Sequence, residues 1–74
     1  MSSKHTDLID RYTYEIFWSD EDEEFVAVCK EFPSLSVLHE SDVRAFIGIK
    51  ETVRDVLSNM RNDEKPPEPI IDRH

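Results

Sequence analysis

The stretch Ser41–Asn62, SDVRAFIGIKETVRDVLSNMRN, constrains this chain more than any other. Its apolar residues Val43, Phe46, Ile49, Val53, Val56, Leu57 and Met60 recur at helical spacing. At roughly 100° per residue they span an arc of about 140°, the stripe of a helix lying on a sheet or core. Ser41 suits the N-cap, where its hydroxyl accepts a bond from a free amide of the first turn. Asp42 at the start and Arg61 at the end complement the helix dipole. Ile47 and Gly48 stand outside this pattern. Ile47 falls off the stripe, and Gly48 sits on the outer face in mid-helix, where glycine costs about 1 kcal/mol relative to alanine. Either they are a lone exposed isoleucine and a tolerated weak spot, or another chain packs there and Gly48 admits its close approach. Pro66 and Pro67 forbid any continuation of the helix.

A single amphipathic helix needs a surface to cover, and the segments before it read as strands. In Tyr12–Trp18, YTYEIFW, Tyr12, Tyr14, Ile16 and Trp18 alternate with Thr13, Glu15 and Phe17, which gives a strand with a strongly apolar face. Acidic surroundings favour core over a base-stacking platform for these aromatics. Ser19–Glu24, SDEDEE, is a hairpin turn. Phe25–Phe32 is a second strand, with Phe25, Ala27 and Cys29 on one face and Val26, Val28 and Lys30 on the other, and Pro33 ends it. Ser34–His39 is a third short strand leading into the helix. Ile70 and Ile71 can add a fourth at an edge. The expected fold is α+β: a three-stranded antiparallel sheet with one helix packed on one face, in the order β-β-β-α, or β-β-β-α-β with the edge strand. The aromatic face of the first strand is the natural mate of the helix stripe. Residues 1–11 carry no clear periodicity and read as a flexible arm, 12–71 as a single domain and 72–74 as a tail.

A 74-residue domain is marginal on its own, because one of this size buries only about 60% of its unfolded surface. The lone Cys29 excludes an internal disulfide framework, and no Cys/His cluster offers a zinc site. Oligomerisation, as a homodimer, or a partner protein is the remaining supplement. No apolar run approaches the roughly 18 residues of a membrane span and no secretion leader is visible, so a cytoplasmic protein is expected. The net charge of −8, from 17 acidic and 9 basic residues, disfavours nucleic-acid binding, which draws its affinity from Lys and Arg. It suits solubility or approach to a basic partner.

The residues that invite catalytic readings have simpler ones. Asp20, Glu21, Asp22, Glu23 and Glu24 are consecutive on a turn, where carboxylates splay apart, and the spacing and glycine of a calcium loop are absent. A solvated turn that can also meet a basic partner is the expectation. Cys29 reads as a small buried hydrophobe, and His39 as a surface residue at the strand-to-helix junction. No catalytic, metal or cofactor residue is assigned. A metal-dependent nuclease would need converging carboxylates from separate strands, and no such set is apparent.

Taken in order, these parts resemble the HicB-like antitoxin domain of HicA/HicB toxin–antitoxin systems. The resemblance runs through Tyr12–Ile16, the acidic turn Asp20–Glu24, Phe25–Val28, Pro33, the helix entry Glu40-Ser41, Ala45 and the exit Pro67-Glu68-Pro69, and so covers most of the chain. Ser34, His39 and Glu24 stand where the family pattern has glycine. The resemblance implies a reduced ribonuclease H-type fold without its catalytic carboxylates, binding and masking a small basic HicA-type mRNA-cleaving toxin. Family members often carry a DNA-binding segment after this domain. Five residues follow Pro69 here, so no operator binding by this chain is expected. The alternative is an orphan module of this type that self-associates and has a regulatory or structural role. The candidate partner-binding residues are Asp20, Glu21, Asp22, Glu23, Glu24, Ile47, Gly48, Ile70 and Ile71.

Overall fold

A computed structural model describes residues 4–61 and 63–70. The elements are α1 (Lys4–Arg11), β1 (Tyr14–Ser19), β2 (Glu24–Cys29), β3 (Phe32–His39) and α2 (Asp42–Ser58). The strands form one antiparallel sheet in the order β1-β2-β3, and α2 packs on one face, as the alternation and the single long amphipathic stretch require.

β2 is central and carries the inward residues expected of it: Ala27 and Cys29 are fully buried and Phe25 packs against the core. It ends earlier than Pro33. Lys30 and Glu31 make the turn, and Pro33 lies inside β3, which is an edge strand. The ladder is irregular beside it, with Val28 opposite Ser36 but Cys29 opposite Phe32. A proline is tolerated at such an edge irregularity because few ladder bonds are at stake.

Ser41 caps α2 as expected, its hydroxyl accepting the Arg44 N–H at 3.2 Å. The helix stops at Ser58, short of Asn62, where the bonding tightens: the Asn59 N–H is shared between the Asp55 and Val56 carbonyls and the Met60 N–H turns to Leu57. Arg61 therefore lies beyond the last turn and pairs with Asp63. Ile49, Val53 and Leu57 are buried as the stripe predicts. Its N-terminal part is not: Val43 is 62% exposed and Phe46 36%, while Ala45 is fully buried.

Gly48 explains that shift. It does not face outward. A Cβ placed on it would lie 2.9 Å from Val37 Cγ1, so the glycine lets α2 settle against β3. The helix covers β2 and β3 and only grazes β1. The aromatic face of the first strand is thus not its main mate. Tyr14 is half-buried, but Ile16 and Trp18 on the same face are 37% and 49% exposed.

The expectation of a flexible arm over residues 1–11 gives way over Lys4–Arg11, which is helical, with Ile9 2% exposed in the core. Tyr12 precedes β1 and is also buried. Its ring meets Phe32 edge-on, and its hydroxyl donates to the Pro67 carbonyl at 2.9 Å. Ile70 belongs to no strand, and Ile71 and the 72–74 tail lie outside the described residues. No described helix is long and apolar enough to cross a membrane.

Candidate functional site

Two ends of the sheet differ in how they are closed. At one end Thr13 just before β1, Cys29 at the end of β2 and Ile70 of the C-terminal segment converge on Glu31. This buried carboxylate accepts the Thr13 N–H at 2.9 Å, the Thr13 hydroxyl at 3.2 Å and the Ile70 N–H at 2.8 Å, and the Cys29 thiol lies 3.5 Å from it. Burial pushes the Glu31 carboxyl up, but the hydrogen bonds from Ile70, Thr13 and its own main chain together hold it below the usual range. Burial raises Cys29 to about 11, so it is a protonated, inert thiol at neutral pH. Burial likewise raises Tyr12 to about 12, with Cys29, Glu31 and Glu68 adding to it, and lifts Tyr14 well above its ordinary value. The Tyr14 hydroxyl donates to the Ile9 carbonyl at 2.7 Å, which ties α1 down. These groups form a structural clasp, and no feature of the sequence pattern marked Glu31 as its centre.

At the opposite end lie Trp18, Phe25, His39 and the start of α2. With α2 displaced toward β3, a groove of about 320 Å³ opens between β1 and α2, lined by Ile16, Phe25, Asp42, Val43 and Phe46. Trp18 stands beside it, edge-on to Phe25. On the reverse face of the sheet Phe17, Val26 and Leu38 lie in register across the three strands, with Phe17 and Leu38 exposed. Sequence alternation assigned Ile16 and Trp18 to the core, and the helical stripe did the same for Val43 and Phe46. Both missed this surface, because both patterns name a face without saying how far the covering element reaches.

The acidic turn borders this end. Asp20, Glu21, Asp22 and Glu23 are exposed, and Glu24 is the first, partly covered residue of β2. The turn is closed by its own side chains: Trp18 Nε1 donates to Asp20 Oδ1 at 2.7 Å, and the Ser19 hydroxyl donates to Asp22 Oδ2 at 3.0 Å. Glu23 adopts a left-handed φ of 53°, a conformation that non-glycine residues take up mainly in tight turns. Among the described residues no group of three or more His, Cys, Asp or Glu side chains could hold a metal ion. His39 is exposed and accepts the Ser41 N–H at Nδ1.

The candidate partner-binding residues are not brought together. The acidic turn lies at the open end. Ile47 points outward from α2, 49% exposed, while Gly48 next to it packs inward. Ile70 is 61% exposed and sits at the clasped end, through its N–H bond to Glu31. No protein-family model, curated protein sequence or solved structure matches this chain.

Proposed function

We propose that this chain is a HicB-like, antitoxin-type binding protein that captures and masks a small basic HicA-type mRNA-cleaving toxin, and that it is not itself an enzyme. The observation that carries this reading is the open end of the sheet, where Ile16, Trp18, Val43 and Phe46 are exposed beside the carboxylates of Asp20–Glu23. Exposed apolar side chains clustered next to charge of one sign mark protein interaction surfaces. The net charge of −8 favours encounter with a basic partner over a nucleic acid. From β1 onward the β-β-β-α order is the one the resemblance calls for, with α1 preceding it. The test is co-expression with the small basic protein of an adjacent reading frame. A stable complex and relief of that protein's toxicity are expected; failure of both overturns the reading.

The row Phe17, Val26 and Leu38 on the sheet face opposite α2 favours a second reading, an orphan self-associating module with a regulatory or structural role. Light scattering at micromolar concentration separates the two, since this second reading requires a homodimer of the isolated chain.

A further inference from the structure

We propose that the outer edge of β1 is a strand-addition site: an extended segment of a basic partner pairs with it as a fourth strand, placing apolar side chains in the groove between β1 and α2. This rests on the partner-binding reading above and specifies how the partner is held. Three observations carry it.

The first is the main-chain geometry. The Lys30 N–H donates to the Thr13 carbonyl at 2.9 Å, which fixes Thr13, Glu15, Phe17 and Ser19 as the residues bonded to β2. Ile16 and Trp18 therefore direct their N–H and C=O groups outward, and β1 has β2 as its only strand neighbour among the described residues. The second is that this edge is lightly protected. Native edges carry prolines, charged side chains or a covering element, whereas here Glu15 is the one charge on β1 and is paired with Lys30, and Ile16, Phe17 and Trp18 are all exposed. Strand addition combines main-chain bonds with pockets for alternate side chains, and the groove lined by Ile16, Phe25, Val43 and Phe46 supplies that pocket on the helix side. The third is charge. Asp42 lines the groove, Asp20–Glu23 follow directly on β1, and Glu40 stands at the entry to α2, with Arg44 the opposing cation of the first helical turn. A second copy of this chain would bring the same acidic groups to the edge, whereas a strand with alternating apolar and basic residues is complementary.

The experiment titrates the full chain with a capped octapeptide of alternating valine and lysine and follows amide hydrogen exchange by NMR. Slowed exchange at the Ile16 and Trp18 amides, saturable and weakened about tenfold by either Ile16→Pro or the charge-neutral Val43→Ser, is expected. Ile16→Pro removes an outward N–H that the ladder does not use, and Val43→Ser alters an exposed helix position, so the second holds should the first fail to fold. Binding that protects only the reverse face at Val26 and Leu38, binding insensitive to Val43→Ser, or no saturable binding overturns the proposal. Protection of Ile16 and Trp18 in the peptide-free chain also overturns it, because a second copy then occupies the edge. A basic neighbour that binds wild type and both variants equally leaves the antitoxin-type reading standing and removes this one. Peptide protection at Ile16 and Trp18 without any binding neighbour does the reverse.

Discussion

The two ends of this sheet are built from similar residues and behave differently. Each has aromatic side chains on the helix side, Tyr12 and Tyr14 at one end, Trp18 and Phe25 at the other. At the first end Tyr14 is tied to α1 through the Ile9 carbonyl and meets Phe46 of α2 edge-on, Tyr12 bonds the Pro67 carbonyl of the segment reaching Ile70, and every buried polar side-chain atom in the described residues has a partner. At the second Trp18 rests edge-on against Phe25 and stays 49% exposed. The difference is one of cover, not of composition. An apolar side chain contributes to stability in proportion to the area it removes from water, so the clasped end holds the fold together, while the open end leaves apolar area in contact with water.

The sharpest way to break this comparison is at Ile9. Ile9→Ala should cost about 3 kcal/mol in urea unfolding, as for other buried isoleucines, although it lies in an eight-residue helix near the start of the chain. An unchanged midpoint would mean that α1 adds nothing to the clasp.

Glu31→Gln should cost roughly 2 kcal/mol, since an amide cannot accept from Thr13 and Ile70 as a carboxylate does. The pH dependence gives an independent reading. The folded carboxyl lies below its unfolded value of about 4.3, so its contribution is present above that pH and is lost as pH falls through the folded pKa. Acid titration of stability should therefore be steeper in wild type than in Glu31→Gln.

Gly48→Ala tests what leaves the open end uncovered. Alanine improves helix propensity, yet its methyl would meet Val37 Cγ1, on a stiff β-branched side chain. A net loss of about 1 kcal/mol is expected, with recovery when Val37→Ala is combined with it in a double-mutant cycle. Stabilisation by Gly48→Ala alone would show that close approach to β3 does not set the helix position.

Val43→Ser should shift stability by less than about 0.5 kcal/mol, despite removing an apolar residue from the helical stripe. A cost above 1 kcal/mol would place Val43 in the core and close the groove.

The order of the three strands, the α2 N-cap, the inward face of β2 and the class of fold were readable from the sequence, because alternation, helical spacing and capping chemistry act over a few residues; the boundary at Pro33, which lies inside β3, was not. α1 was not. Eight residues are too few to nucleate a stable helix alone, and this one is held by Ile9 in the core and by the Tyr14 hydroxyl on its carbonyl. Glu31 could not be identified either, since its partners Thr13 and Ile70 lie 18 and 39 residues away along the chain.

By itself the sequence determined that one amphipathic helix must cover a three-stranded antiparallel sheet, and that the protein would carry a net negative charge into any encounter. Only the tertiary structure decided where on the sheet the helix lies. Periodicity names the buried face of an element, but the lateral position depends on a contact between Gly48 and Val37 on different elements. That contact draws α2 toward β3, and the same displacement leaves Ile16, Trp18, Val43 and Phe46 exposed beside the acidic turn.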